Sequence, residues 1–166
     1  MVVGAGVMGL SCAVRLLEAG HRVDVVARDL PRETTSSVAA AIWYPYRALP
    51  QGLVTAWAGR SYEVFSALAD DDATGERGIV MVPGTEVLAA RSADPWWVDA
   101  VPALTRVAPP NGYADGWSFV APVVEMPRYL AWLIRRVEGL GGTLTRLNLA
   151  ALPRGADVVV NCAGLG

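Results

Sequence analysis

Gly4-Ala5-Gly6-Val7-Met8-Gly9 decides the fold, and it begins after only three residues, Met1–Val3. A glycine pattern of this kind binds a dinucleotide when it lies between a strand and a helix. The first glycine permits a tight turn, the second lets the backbone approach a pyrophosphate, and the third lets the helix lie close to the sheet. The N–H groups at the start of that helix then attract the phosphate charge.

The residues around the motif favour this context. Apolar residues recur after it at a helical spacing, and the pattern stops at Gly20. The run Val23–Val26 follows and is typical of a strand. A strand, a glycine turn, a helix and a strand within about thirty residues form the unit that the motif requires. The face of the predicted helix consists of Val7, Leu10, Val14 and Leu17.

Composition excludes several classes of protein. The chain has 166 residues, is 53% hydrophobic and carries a formal net charge of −2, which disfavours nucleic acid as a partner. No apolar run approaches the roughly eighteen residues of a membrane span, and the N-terminus lacks the basic region of a signal peptide. Cys12 and Cys162 resemble small buried hydrophobes, so we expect a reduced, cytoplasmic location. All 14 basic residues are Arg, which hints at a GC-rich bacterial genome.

Both ends of the chain read as incomplete. Three residues precede Gly4, whereas strands average about five. At the other end the chain stops directly after the apolar run Val158–Val160, where a turn would feed the next element. We therefore expect the front part of a longer protein, truncated at both ends.

The rest of the chain reads as an α/β beginning, a mostly antiparallel middle and an α/β return. We predict a Rossmann-like dinucleotide-binding fold, residues 1–76 and 126–166, interrupted by a substrate-domain segment, residues 77–125. Asp70–Asp72 is interpreted as a solvated loop rather than a metal site, because consecutive side chains diverge. The predicted helices are Gly52 to about Leu68, with Leu53, Trp57, Val64 and Leu68 on one face, a short one starting at Asp94-Pro95-Trp96-Trp97, and one from Pro127 to the glycines after Val137. The predicted strands are 79–82 and 86–90 around a Pro83-Gly84 turn, 117–120, 123–124, 143–147 and 157–160.

Two features bear on which dinucleotide is bound. Asp29 lies about twenty residues after Gly9, where an acidic residue contacts the adenosine ribose, although a surface pair with Arg28 is the alternative. Arg28 also keeps NADP open, since a guanidinium suits a 2′-phosphate. The hydroxyl run Thr34–Ser37, before an Ala-rich helix start, favours FAD, because its donors suit a pyrophosphate or a ribityl chain; helix capping is the alternative.

Four separated motifs resemble the D-amino-acid oxidase family, which includes D-aspartate oxidase. They span nearly the whole chain, but only about half of a family member. The matching segments are Val2-Val3-Gly4-Ala5-Gly6-Val7-Met8-Gly9-Leu10-Ser11, Ala27-Arg28-Asp29-Leu30-Pro31, Ser37-Val38-Ala39-Ala40-Ala41-Ile42-Trp43-Tyr44-Pro45-Tyr46 and Val159-Val160-Asn161-Cys162-Ala163-Gly164-Leu165-Gly166.

The resemblance implies an FAD enzyme that oxidises D-amino acids to 2-oxo acids and ammonia and reduces O₂ to hydrogen peroxide. Small-molecule D-amino acids and O₂ are the expected partners, and a homodimer is one compatible assembly. From composition and charge we expect no nucleic acid and no membrane partner, and we predict no metal site. A glycine- or sarcosine-type amine oxidase of the same superfamily and a catalytically incomplete FAD-binding fragment are the alternatives. We expect the isolated chain to be inactive, and a peroxisomal address cannot be assessed.

The resemblance also assigns roles to residues. On it, the residues that contact FAD are Gly4, Ala5, Gly6, Val7, Met8, Gly9, Arg28, Asp29, Thr34, Thr35, Ser36, Ala40, Ala41, Ile42, Asn148, Ala163 and Gly164. Tyr44 and Tyr46 are placed on the substrate side, with packing in an aromatic cluster as the alternative. The family often has glycine where Ala41 stands. Its catalytic residues lie in the second half, so none can be named here, and His21 is interpreted as structural or solvated.

Overall fold

Four short parallel strands form the sheet that follows from the opening motif. The computed structural model of the chain describes residues 1–164, so Leu165 and Gly166, the end of the last family-like motif, lie outside the described residues. The strands are β1 (Val2–Val3), β2 (Asp24–Ala27), β6 (Thr143–Arg146) and β7 (Val160–Asn161). They pair in the order β6-β2-β1-β7, and apolar residues of the inner strands are buried, as expected for strands covered on both faces.

Two amphipathic helices, α1 (Val7–Glu18) and α4 (Met126–Gly139), pack against each other beside this sheet. Leu10, Leu130 and Leu133 are almost completely buried between them and the strands. The helical spacing predicted for both segments is confirmed, since apolar residues three or four positions apart fall on the buried faces. A 3₁₀ turn (Pro31–Glu33) and a short helix, α2 (Thr35–Val38), follow β2.

The second sheet is antiparallel, in the order β3-β5-β4. Its strands are β3 (Ile79–Leu88), β4 (Thr105–Arg106) and β5 (Asp115–Val124). The predicted hairpin around Pro83-Gly84 is wrong, because β3 runs through both residues and Pro83 pairs with Val120 of β5. An edge strand tolerates this proline, since the missing N–H would face away from the sheet.

Helix α3 (Gln51–Asp70) confirms the predicted helix but not its predicted face. Leu53 and Trp57 are 53% and 60% exposed, whereas Ala58 and Tyr62 are buried. Hydrogen bonds to neighbouring segments determine which face of α3 is buried. The Trp43 indole donates to the Ala58 carbonyl at 3.0 Å, and the Tyr62 hydroxyl donates to the Val120 carbonyl at 3.1 Å. A buried indole N–H or phenol O–H needs an acceptor of this kind.

Three smaller predictions are corrected. The short helix predicted from Asp94 is a 3₁₀ turn, Val98–Ala100. The last strand begins at Val160 rather than at 157. The helix expected at the alanines after the hydroxyl run is formed instead by Ser/Thr residues of the run itself, in α2. The alanines that follow α2 are not helical.

The chain forms two compact units. The first contains Met1–Ala40, Glu76–Gly78 and the described residues from Glu125 onward; the second contains Ala41–Gly75 and Ile79–Val124. Residues 41–75 therefore join the antiparallel unit rather than the opening segment, because α3 packs against that sheet. The cofactor and substrate roles of these segments remain predictions. Among residues 1–164, no helix is both long and apolar enough to span a bilayer.

A buried carboxylate links β4 and β5 of the second sheet. Asp115 accepts hydrogen bonds from the N–H groups of Ser92 and Gly116, at 3.2 and 2.9 Å, and from the Arg106 guanidinium. The guanidinium also lies 4.4 Å above the Trp117 ring. Burial alone would raise the pKa of Asp115, but these donors favour the charged form and lower the pKa below its ordinary value.

We expect Asp115→Asn to lower the melting temperature at neutral pH, because the amide loses the ionic contact with Arg106. A lowered folded pKa gives stability that is present above the unfolded pKa of about 3.9 and lost as pH falls through the folded pKa. The difference between wild type and variant should therefore shrink in acid when thermal unfolding is followed by circular dichroism. The exposed Asp99→Asn serves as control; a pH-independent difference would contradict the account.

Candidate functional site

A cleft of about 510 Å³ opens where the parallel strands of the first sheet end. The segments that follow β1, β2, β6 and β7 meet there, because the carboxyl ends of parallel strands lie at one edge of a sheet. This is the edge at which open α/β sheets bind ligands. The lining comprises Val3, Gly4, Ala5, Gly6, Met8, Val26, Ala27, Arg28, Asp29, Glu33, Thr34, Thr35, Ser36, Leu147, Asn148, Leu149, Cys162, Ala163 and Gly164.

Two glycines of the motif are required by close backbone packing. Gly4 has a φ of 110°, and a Cβ there would lie 2.2 Å from the Cys162 carbonyl oxygen. A Cβ on Gly9 would lie 1.9 Å from the Gly4 carbonyl oxygen. Gly9 thus lets α1 begin directly against β1, although it does not itself line the cleft.

Gly6 has a different environment, because it faces the cleft. It is the N-cap of α1 and provides no side-chain cap. A Cβ on Gly6 would meet the Ser36 hydroxyl oxygen at 3.0 Å and no backbone atom within 4 Å. The Val7 N–H donates to the same hydroxyl at 3.1 Å. The first-turn N–H groups of a helix lack intrahelical acceptors, so this end of α1 suits an anion.

Arg28 and Asp29, at the end of β2, pair with each other and also line the cleft. The guanidinium contacts the carboxylate at 2.8 Å through Nη2 and at 3.1 Å through Nε. This hydrogen bond lowers the pKa of Asp29, so the carboxylate remains ionised as a hydrogen-bond acceptor. The surface-pair interpretation and the ribose interpretation are therefore compatible.

The Ser/Thr residues of the hydroxyl run have two roles: some stabilise the turn by hydrogen bonds, and some line the cleft. Ser37 donates to the carbonyls of Arg32 and Thr34, both at 2.8 Å, and thus stabilises the turn. Thr34 also donates inward, to the Pro31 carbonyl at 2.7 Å. Thr34, Thr35 and Ser36 all line the cleft, whereas Ser37 does not. The run therefore builds the turn and also presents hydroxyls to the cleft.

The opposite wall comes from the two later strands. Asn148 is exposed after β6, and Ala163 and Gly164 follow β7. The Cys162 N–H donates to the Val3 carbonyl at 2.7 Å, and the Ala163 N–H donates to the Asn161 side chain at 3.2 Å. These bonds bring the predicted residues of the last motif beside the first.

Sequence reasoning missed seven lining residues. Glu33 is the charged one; it accepts the Leu30 N–H at 2.9 Å and pairs with Arg146 at 3.1 Å. The sequence carries no capping pattern that could have marked it, because the leucine at the start of this turn has no side-chain acceptor. The others adjoin predicted residues along the strands and are Val3, Val26, Ala27, Leu147, Leu149 and Cys162.

Several predicted site residues lie elsewhere. Val7 and Gly9 support the cleft from within α1, and Ala40 is an exposed residue beyond α2. The others belong to the second unit. Ala41 accepts the Val124 N–H at 2.8 Å and Ile42 is 62% exposed, while Tyr44 and Tyr46 stack on each other with centroids 5.5 Å apart. Their flavin and substrate roles remain predictions.

The described residues contain no group of three or more side chains suited to hold a metal ion. His21 is exposed in the turn before β2. Burial, followed by the neighbouring Cys12, raises the pKa of the Cys162 thiol, which disfavours the reactive thiolate. The hydrogen-bonding groups that line the cleft support binding of a ligand.

Comparisons with known proteins agree with this geometry. The sequence model of the family described as FAD dependent oxidoreductase (DAO) matches residues 1–166. The D-amino-acid oxidase of Rubrobacter xylanophilus is 50% identical, with 99% of this chain and 52% of that protein covered. The human D-aspartate oxidase is 34% identical, with 99% and 52% covered. The chain thus spans about half the length of the curated relatives it matches.

Solved structures show the same fold at low sequence identity. Iminodiacetate oxidase from Chelativorans has a TM-score of 0.65 at 17% identity, with 98% of this chain and 54% of that one covered. Glycine oxidase from Geobacillus kaustophilus has a TM-score of 0.64 at 19% identity, with 86% and 45% covered.

Proposed function

The chain belongs to the DAO family of FAD-dependent oxidoreductases, and from this we propose that it is the FAD-binding part of a D-amino-acid oxidase. The observation that carries the proposal is the cleft itself, in which the glycine motif, the Arg28–Asp29 pair and the hydroxyl run meet at one edge of a parallel sheet. The relatives named D-amino-acid oxidase at 50% and 37% identity support the substrate class.

The cleft residues fit the ADP portion of FAD. Gly6 leaves space where a Cβ would stand, so that a pyrophosphate can approach the start of α1. In this proposal Asp29 accepts hydrogen bonds from the adenosine ribose hydroxyls, and Arg28 keeps that carboxylate ionised and oriented. Thr35 and Ser36 donate to the phosphate and ribityl oxygens.

FAD supplies hydride acceptance from the substrate Cα and electron transfer to O₂. The described residues contribute binding and orientation, since the cleft offers the start of α1, the Arg28–Asp29 pair and the hydroxyls of the Ser/Thr run as hydrogen-bonding groups. We therefore assign the catalytic side chains to the part of the relatives that this chain does not span, and we expect the isolated 166-residue chain to release no peroxide.

The test is made on the longer protein that this proposal implies, with the 166-residue chain beside it. Each is loaded with FAD and mixed anaerobically with D-alanine, L-alanine, glycine or sarcosine, and the flavin absorbance is followed. D-Alanine should bleach the flavin of the longer protein, L-alanine should not, and the isolated chain should not respond. Bleaching by glycine or sarcosine but by no D-amino acid would identify the alternative amine oxidase, and a protein that binds no FAD would overturn both.

A further inference from the structure

A carboxylate in the second unit has one oxygen without a donor. Glu86 lies on β3, and its Oε1 accepts the Tyr44 hydroxyl at 2.7 Å. Its Oε2 is buried and has no hydrogen-bond partner among residues 1–164. A buried carboxylate oxygen without a donor is costly, so Oε2 favours contact with a cation or another hydrogen-bond donor.

Tyr44, the hydrogen-bond partner of this carboxylate, belongs to a group of aromatic rings. Tyr44 packs edge-on against Trp97, with centroids 5.4 Å apart, and stacks on Tyr46. Trp117, which is 2% exposed, stands opposite Glu86 in the strand register and therefore on the same face of the sheet. Ring faces attract cations, and a carboxylate beside them adds a full negative charge.

Arg106 and Arg47, which lie near these rings, contact groups other than Glu86. Arg106 lies over Trp117, but it is bonded to Asp115 and to Asp94. Arg47 lies 4.9 Å from the centroid of the Tyr46 ring, which shows that this ring can take a guanidinium. Within residues 1–164, neither arginine forms an ion pair with Glu86.

Tyr44 is held as a donor to Glu86. Burial, and then the hydrogen bond to the Glu86 carboxylate, raise the pKa of Tyr44 far above its ordinary value. The phenol therefore stays protonated and occupies Oε1, which leaves Oε2 as the oxygen that can accept from a ligand.

We propose that Glu86, with Tyr44 and Trp97, recognises the side-chain cation of a basic D-amino acid, an ammonium or a guanidinium. The inference rests on the proposed function for the amino-acid class of the ligand, and it narrows that class to substrates such as D-lysine. An acidic substrate is disfavoured by repulsion, and a neutral one leaves Oε2 without a donor. A basic side chain of the same protein, from beyond this chain, has the same chemistry and is the rival source.

The test is a titration of the 166-residue chain with D-lysine and with D-norleucine, which has a similar carbon chain but no terminal ammonium. Binding is followed by the indole N–H resonances of the protein. D-Lysine should bind at least about tenfold more tightly, and Glu86→Gln should abolish this preference, because a charge-assisted hydrogen bond becomes a neutral one. The exposed Glu63→Gln, also in the second unit, is the matched control.

Equal affinity for the two amino acids would overturn the proposal, as would a preference that survives Glu86→Gln. If Glu86→Gln does not fold, the wild-type chain decides: the indole N–H resonance of Trp97 should shift with D-lysine and not with D-norleucine, and a preference for D-lysine without that shift would overturn the proposal. The rival basic side chain predicts that Glu86→Gln lowers the stability of the longer protein without changing its relative affinity for the two amino acids. FAD binding is measured on the same samples, so failure here is distinguishable from failure of the proposed function.

Discussion

Gly9→Ala is expected to unfold the first unit or to destabilise it by about 3 kcal/mol or more. The added Cβ would stand 1.9 Å from the Gly4 carbonyl oxygen, and that oxygen belongs to backbone that cannot rotate away. Gly4 is itself fixed, because its N–H donates to the Val26 carbonyl at 2.8 Å. The clash can be relieved only by moving α1 away from β1, which exposes Leu10 and the strand core.

The measurement is denaturant unfolding of the chain, with Gly139→Ala as the matched control. A Cβ on Gly139 meets no atom within 4 Å, and the residue ends α4 in the same unit without a positive φ. The control should be neutral or slightly stabilising, since alanine restricts the unfolded chain. Wild-type stability in Gly9→Ala would show that α1 does not lie against β1 as described.

Gly6→Ala is expected to lower the affinity for FAD by about 100-fold, or about 3 kcal/mol, with little change in stability. A Cβ on Gly6 meets only the Ser36 side chain, at 3.0 Å, which can rotate. The same Cβ would project to the cleft where the proposed pyrophosphate approaches the start of α1. The two glycines therefore separate folding from cofactor binding.

Fluorescence titration with FAD and thermal unfolding of the same samples provide the test for Gly6→Ala. Gly139→Ala again serves as control and should bind FAD as wild type does. An unchanged FAD affinity in folded Gly6→Ala would contradict the placement of the pyrophosphate. A large loss of stability would mean that Ser36 is held more rigidly than its single hydrogen bond to Val7 implies.

The first sheet and its helices could be predicted because their determinants are local. Gly4, Gly9 and Gly20 mark turns and close approaches, and the apolar spacing of α1 and α4 identifies the buried faces. The face of α3 could not be predicted in this way. Its hydroxyl-bearing Tyr62 is buried by an acceptor on β5 that lies 58 residues away in sequence, while the more apolar Trp57 remains exposed.

The same distinction between local and long-range determinants holds for the residues of the candidate site. The segments after β1 and β2 carry motifs, so their cleft residues could be predicted. Leu147 and Leu149 carry none, and they line the cleft only because β6 pairs with β2 at the edge of the sheet. Glu33 follows β2 but lies between the two motifs of that segment, so no motif marked it. Glu86 gave no hint in sequence, since a lone carboxylate in a strand is typical of a solvent-facing position; only its contact with Tyr44 marks it.

We propose above all that the first unit binds FAD through its ADP portion. The most direct measurement is a titration of the purified 166-residue chain with FAD and with FMN, each followed by flavin fluorescence, with ADP as competitor. We expect saturable binding of FAD that ADP displaces, and no comparable binding of FMN, which lacks the adenosine that we propose Asp29 to contact. A folded chain that does not bind FAD, or that binds FMN equally well and is indifferent to ADP, would contradict it.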